Sequence, residues 1–206
     1  MTESIENSDS KRQAIMQAAK NLFLTHNYRC VSMDKIAQAA PVSKATLYNY
    51  FDSKNELLVA VVSKLSTELL QTITQTLSDA DDVEQTLKKI AFSVVEFLYS
   101  SEGLAIYRLV ISESHEFPEL GQMVSNNGVT PLINQLDSYL QRLNDSDNLS
   151  IFDTRSTADV FFSLLKGELH FRCLLGVQPP PNELEKAQLI ESATTFYLRG
   201  IGYAKN

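Results

Sequence analysis

Apolar residues recur at three- and four-residue intervals along almost the whole chain, and this periodicity restricts the fold more than any other feature. In the first segment, Ile15, Ala18, Ala19, Leu22 and Phe23 form such a stripe. Residues with this spacing lie on one face of an α-helix, and no run shows the period of two expected of a strand. The pattern therefore predicts an all-α fold of about nine helices.

Capping residues and breaks predict where these helices begin and end. Ser32 and Ser43 are suited to cap two short helices, over residues 33–39 and 44–50, separated by Pro41. Ser53-Lys54-Asn55-Glu56 has the form of a capping box that opens a long helix reaching about Leu77. Residues 117–121 interrupt the pattern. Later helices are predicted at about 82–99, 104–113, 129–143, 157–175 and 184–203.

Charge is distributed unevenly along the chain. Residues 11–54 contain seven Lys and Arg residues against two Asp residues, a net charge of +5. Because the 206-residue chain has a formal net charge of -7, the remainder carries -12. A basic block of this kind favours contact with a polyanion, whereas the acidic remainder repels phosphate at long range.

The basic block contains the two short helices, and their spacing is that of a helix-turn-helix. The second helix carries small, hydroxyl-bearing, amide and basic side chains, which suit contact with base edges and phosphates in the major groove of duplex DNA. These candidate DNA-binding residues are Ser43, Lys44, Ala45, Thr46, Tyr48, Asn49 and Tyr50.

Residues 32–58 contain the string V-S-K-A-T-L-Y-N-Y-F-D-S-K-N-E-L-L, which closely resembles the TetR/AcrR family of transcriptional regulators. The resemblance is strong over residues 15–58. It implies an N-terminal three-helix domain that binds operator DNA, a C-terminal domain that binds a small molecule, and a homodimer. By the resemblance, the positions that touch operator DNA are Ser32, Thr46, Tyr48, Tyr50 and Lys54, and those that vary with operator sequence are Lys44, Ala45 and Asn49.

The expected organisation is a disordered tail over residues 1–10, a DNA-binding domain over 11–53 and a ligand-binding and dimerisation domain over 54–206. One departure from the family pattern lies in the turn, where Pro41 replaces a common glycine. Proline fixes φ near -65° and is not expected to adopt the left-handed turn that glycine permits. We therefore expect the turn to differ locally from that of the family.

Two predicted helices near the end of the chain are apolar on more than one face and require cover on two sides. A second copy of the chain would supply this cover, as the resemblance also implies, although an intramolecular core is the alternative. The candidate interface residues are Phe161, Leu165, Phe171, Leu174, Ile190, Phe196 and Tyr197.

The middle helices combine aromatic and apolar side chains with scattered hydroxyls and an imidazole, a composition that suits a small hydrophobic effector. The candidate pocket residues are Phe92, Phe97, Tyr107, Phe117, Met123 and His170. Aromatic residues at helical spacing also occur in an ordinary core, so the effector is implied mainly by the family resemblance.

No catalytic set emerges from the sequence, and no metal or cofactor site is expected. The three histidines and two cysteines match no zinc spacing, and phosphate-binding and nucleophile-elbow motifs are lacking. Two widely separated cysteines and the lack of a ~20-residue apolar run favour the cytoplasm and no membrane span. Two alternatives to a ligand-responsive dimeric repressor remain: a constitutive architectural DNA-binding protein, and a carrier or enzyme with a vestigial helix-turn-helix.

Overall fold

The computed structural model describes residues 2–78, 82–146 and 149–203. These residues form ten α-helices, with a 3-10 turn at Tyr28–Cys30 and a π-helical turn at Ser125–Val129, and they contain no strand. The helices are α1 (Thr2–Thr25), α2 (Met33–Ala39), α3 (Lys44–Tyr50), α4 (Lys54–Ser78), α5 (Val83–Tyr99), α6 (Ser101–Glu113), α7 (Pro118–Val124), α8 (Thr130–Asp145), α9 (Thr154–Leu175) and α10 (Glu183–Gly200). The predicted all-α fold class is confirmed.

The additional helix is α7, which lies where the sequence predicted an interruption. Pro118 is its first residue, a position at which proline is well accommodated because the backbone N–H it lacks would have no partner within the helix. The same Pro-containing segment that breaks one helix therefore begins the next.

The predicted N-caps are present. Three side chains accept a hydrogen bond from the backbone N–H three residues further on: Ser32 from Lys35, Ser43 from Thr46 and Asp82 from Gln85. At the start of α4, the Ser53 hydroxyl likewise accepts from the Glu56 N–H at 3.1 Å. The Glu56 carboxylate accepts from the Asp52 N–H at 2.7 Å, one residue earlier than a standard capping box requires.

The sequence predicts a disordered tail over residues 1–10, whereas α1 as described begins at Thr2. Met1 lies outside the described residues. Once the buried stripe around Ile15 and Ala19 has nucleated a helix, each further residue adds a backbone hydrogen bond at little cost. Polar composition alone therefore did not indicate where α1 begins.

The chain divides into two compact units. The first consists of Met1–Leu65 and Arg108–Val124, and the second of Ser66–Tyr107 and Ser125–Asn206. This division differs from the sequence boundary after residue 53, because the first half of α4 and the segment around α7 also belong to the first unit. Helix periodicity could not show this, since both boundaries of the segment 66–107 fall inside continuous helices.

Each unit has its own buried apolar residues. In the first unit, side chains from α1, α2, α3 and α4 are fully buried, namely Ile15, Ala19, Ile36, Leu47, Leu57 and Leu58. In the second unit, α5, α8, α9 and α10 supply the core, which includes Leu87, Ile90, Val95, Leu136, Leu140, Phe161, Leu165 and Leu198. Removal of this apolar surface from water is the main force that holds helices of modest intrinsic stability together.

The turn between α2 and α3 contains Pro41 with a φ of +23°. The Val42 N–H donates to the Ala37 carbonyl at 3.0 Å, the bond that closes a glycine-type helix end. The expectation that proline would avoid this left-handed turn is therefore wrong. Ala40 and Leu47, on either side of this turn, are buried, and the φ of Pro41 lies far from the value of about -65° that the proline ring favours.

Replacing Pro41 with Gly is expected to raise the free energy of unfolding by about 1–2 kcal/mol, because the relieved strain exceeds the added freedom of the unfolded chain. Urea or thermal unfolding measures this change. Pro118→Gly is the matched control and is expected to lower stability by about 0.5–1 kcal/mol, since Pro118 is compatible with a helix start. A loss of stability in both variants would contradict a strained Pro41.

Candidate nucleic-acid interface

Helix α3 turns one side chain into the first unit and presents most of the others to solvent. Leu47 is fully buried against the neighbouring helices. Lys44, Ala45 and Asn49 are exposed, and Tyr48 is 43% exposed. These four residues form what we call the α3 outer face. A short helix that is anchored by one buried leucine and has a polar outer face has the form required to enter a DNA groove.

The other predicted contact residues lie around this face and partly support it. The Ser43 and Thr46 hydroxyls are 2.8 Å apart, and Ser43 also accepts from the Thr46 N–H at 3.0 Å. Ser32 caps α2 and is exposed, while Tyr50 is half-buried at the end of α3. Ser32 and Ser43 therefore fix the helix starts, whatever contact they make with a nucleic acid.

Lys44 is held by an acidic neighbour on α2. Its Nζ lies 2.7 Å from the Asp34 carboxylate, and both side chains are more than half exposed. The hydrogen bond to Asp34 raises the pKa of Lys44, so the amino group stays protonated at neutral pH. A phosphate or a guanine edge would have to compete with Asp34 for this cation. The Asp34 carboxylate therefore weakens the attraction between the α3 outer face and a polyanion.

Lys54 has a structural role that the sequence did not reveal. Its amino group donates to the Tyr28 carbonyl at 2.8 Å and to the Val31 carbonyl at 2.9 Å. It also lies 4.2 Å from the centroid of the Tyr28 ring. Burial lowers the pKa of Lys54 from its ordinary value. These contacts attach the start of α4 to the chain just before α2.

Replacement of Lys54 with Met is expected to reduce the free energy of unfolding by about 2 kcal/mol, because two charge-assisted hydrogen bonds are lost. Operator affinity should fall, but the slope of log affinity against log salt concentration should not change. A lost phosphate contact would reduce that slope by about one instead. Lys89→Met, at an exposed lysine of the second unit, is the control for the change of side chain.

Residues far along the chain also belong to this unit, which sequence reasoning missed. Arg29 lies 3.9 Å from the Glu113 carboxylate at the end of α6 and 4.0 Å from that of Glu116. The Tyr28 hydroxyl donates to Asn55 Oδ1 at 2.6 Å, and burial, with a smaller contribution from Glu113, raises the pKa of Tyr28 to about 12. A separation of more than eighty residues left no local signal for the contact between Arg29 and Glu113.

The residues of the predicted effector pocket are divided between the two units. Phe117 and Met123 belong to the first unit, whereas Phe92, Phe97, Tyr107 and His170 belong to the second. Phe92 is 55% exposed and lines an open cleft of about 660 Å³ between α5 and α10. Tyr107 and His170 do pack together, with ring centroids 4.9 Å apart. Tyr107 and His170 are therefore two predicted pocket residues that are in contact within the second unit.

The predicted dimer residues divide into buried and exposed groups. Phe161, Leu165 and Tyr197 are at most 3% exposed, so a partner cannot reach them, and their assignment to an interface is corrected: they form the core of the second unit. Leu174 and Ile190 are partly buried. Phe171 and Phe196 remain exposed at 60% and 66%.

Further exposed apolar residues on or beside α9 and α10 accompany Phe171 and Phe196. They are Val160, Leu175, Val177 and Leu184. We call these six residues the α9–α10 apolar surface. A monomeric protein seldom leaves so many large apolar side chains on two neighbouring helices in contact with water.

The helix-turn-helix, its capped helices and the exposed outer face of α3 define a DNA-binding protein of the helix-turn-helix class. A family model described as bacterial regulatory proteins of the tetR family matches residues 15–61. A second, described as the C-terminal domain of AefR-like transcriptional repressors, matches residues 85–202. The chain belongs to the TetR family of transcriptional regulators.

Individual relatives agree with this assignment. The HTH-type transcriptional activator FasR of Mycolicibacterium smegmatis is 32% identical over 108 residues, which are 52% of this chain and 48% of FasR, so the match spans about half of that relative. A TetR-family regulator from Mesorhizobium loti has a similar structure, with a TM-score of 0.86, 24% identity and coverage of 94% and 97% of the two chains. The flavonoid-responsive regulator FrrA has a TM-score of 0.70, 29% identity and coverage of 92% and 96%.

By length and composition, α4 meets the criteria for a membrane-spanning helix, but long helices of soluble proteins meet them too. Across residues 2–78, 82–146 and 149–203, no group of three His, Cys, Asp or Glu side chains is placed to hold a metal ion. The relatives described above are transcriptional regulators.

Proposed function

We propose that this protein is a homodimeric repressor that binds a palindromic operator and is released from it by a small hydrophobic effector in the cytoplasm. The α3 outer face carries the proposal. It combines an exposed lysine, a small residue, a phenol and an amide on a helix whose opposite side anchors to the unit. Ser32, Thr46, Tyr50 and Lys54 would border this contact, with Lys54 acting chiefly by holding the segment before α2.

The α9–α10 apolar surface supports the proposed dimer. A two-fold axis through this surface would bury its aromatic and aliphatic side chains against their symmetry mates. Two α3 helices related by that axis would reach successive major grooves about one turn, ~34 Å, apart or slightly more. An operator bound in this way is an inverted repeat.

Continuity of the helices supports the proposed release mechanism. Helix α4 runs without interruption from the first unit into the second, and α6 runs from the second unit back into the first. An effector bound in the second unit would change the tilt of α4, and with it the separation of the two α3 helices. Such coupling requires the effector to bind the conformation incompetent for DNA more tightly than the competent one.

Gel-shift and light-scattering measurements test this proposal together. A dimer should bind one duplex from the region upstream of its own gene. A small molecule that co-purifies with the protein, once extracted, should weaken that binding when it is added back. Affinity for an inverted repeat should exceed that for the same half-sites in direct repeat. A strict monomer with full operator affinity would refute the dimeric repressor.

Activation is the second candidate, because FasR, with which the chain shares 32% identity over 108 residues, is named an activator. Transcription in vitro from the bound promoter separates the two. Repression predicts fewer transcripts with the protein than without it, and recovery when the effector is added. An increase in transcripts would assign the activating role.

A further inference from the structure

Helix α9 contains a kink that determines where its last turns lie. At Gly167 the backbone has φ +52° and ψ -162°, a conformation that L side chains rarely adopt. The Tyr99 hydroxyl lies 3.1 Å from the Leu165 carbonyl and 2.9 Å from the Lys166 carbonyl, to both of which it donates. Tyr99 therefore bonds to the two carbonyls that directly precede Gly167, and α9 continues beyond the kink through His170.

His170 lies between two tyrosine rings in the interior of the second unit. It is 4% exposed, and its ring meets Tyr99 and Tyr107 edge to face with centroids 5.5 and 4.9 Å away. A backbone hydrogen bond with Leu98 raises the pKa of the imidazole, though less than burial lowers it. Among the described residues, no hydrogen-bond partner lies within reach of the second ring nitrogen, Nε2.

The chemical state of this nitrogen follows from its surroundings. Burial, and then the nearby Lys166 cation, lower the pKa of His170, so the ring is neutral at pH 7. A neutral imidazole carries a proton on one nitrogen and a lone pair on the other, so with the proton on Nδ1 the Nε2 atom can accept one hydrogen bond. A buried acceptor without a donor is unfavourable, and proteins usually supply its partner from a side chain, a water molecule or a ligand.

We propose that His170 Nε2 accepts a hydrogen bond from the hydroxyl group of a small, neutral aromatic effector of the phenol class. The inference rests on the proposed function, since it assigns the effector chemistry of the second unit. A lone-pair acceptor favours a hydroxyl and disfavours a carboxylate, whose oxygens are themselves acceptors. The edges and faces of Tyr99 and Tyr107 favour a planar aromatic ring over an alkyl chain.

Three probes of nearly equal size test this chemistry with the full-length protein: 4-ethylphenol, 4-ethylanisole and 4-ethylbenzoate. Calorimetry should show that 4-ethylphenol binds about tenfold more tightly than 4-ethylanisole, which lacks the donor. The benzoate should bind more weakly still. In protein labelled with ¹⁵N-histidine, the Nε2 resonance of His170 should move with 4-ethylphenol and stay unchanged with 4-ethylanisole.

His170→Leu should abolish the preference for the phenol over the anisole, and His115→Gln, at an exposed histidine, should retain it. The comparison of ligands in the wild-type protein does not depend on how the variants fold. Equal affinities for phenol and anisole with an unmoved His170 resonance, as an internal water molecule on Nε2 would produce, overturn the proposal. So does binding of the benzoate in preference to the phenol, or binding of none of the three. Operator release by an unrelated co-purified molecule would then leave the proposed function standing.

Discussion

Phe196→Asp is expected to convert the protein from dimer to monomer and to weaken operator binding on the order of 100-fold. Phe196 is 66% exposed in the single chain, so the substitution removes little intramolecular packing. In the proposed dimer, however, it would bury an unpaired carboxylate among apolar side chains. A monomer also loses the gain in affinity that comes from binding two linked half-sites at once.

Light scattering and an anisotropy titration with operator DNA measure the two effects of Phe196→Asp. Phe92→Asp is the matched control, because it makes the same change at a phenylalanine that is 55% exposed but lines the cleft between α5 and α10. The control should remain dimeric and bind DNA normally. A dimeric Phe196→Asp variant with unchanged affinity would move the interface away from the α9–α10 apolar surface.

Ala45→Glu is expected to weaken binding to every operator sequence on the order of 100-fold while leaving the fold intact. Ala45 is exposed in the first turn of α3, where a carboxylate is favourable to the helix itself. At the DNA surface, the same carboxylate would meet phosphates of like charge and would hold the helix away from the base edges. Loss of binding would thus accompany equal or greater thermal stability.

Gln122→Glu serves as the control. It adds the same negative charge at an exposed position of α7, which also belongs to the first unit. This variant should retain operator affinity within about threefold, because dissolved salt screens the interaction between DNA and a charge that lies away from the interface. Anisotropy titrations at two salt concentrations measure both variants. Equal losses for Ala45→Glu and Gln122→Glu would indicate a general charge effect and would contradict a specific role of the α3 outer face.

Local features of this chain were predictable because their causes are local. Ser32, Ser43 and Asp82 cap helices through backbone groups three residues away, so the sequence contains both partners. The apolar stripe of α1 and the anchor Leu47 follow from helical spacing in the same way. These features were sufficient for the fold class and for the location of the helix-turn-helix.

Features that depend on tertiary packing were not predictable. Helix α9 is apolar on several faces, and the pattern could not show that Phe161 turns inward while Phe171 faces solvent. The positive φ of Pro41 contradicts the local preference of proline, so nothing in the sequence indicated it. Lys54 donates hydrogen bonds to carbonyls more than twenty residues earlier in the chain. No sequence motif encodes these contacts.

Amide hydrogen–deuterium exchange on the full chain, alone and saturated with its operator duplex, tests the central claim most directly. If α3 enters the DNA groove, peptides covering residues 43–54 should exchange more slowly in the complex, with smaller changes at the start of α2. Unchanged exchange over residues 43–54, with slowing confined to α9 and α10, would show that this protein contacts DNA through another surface.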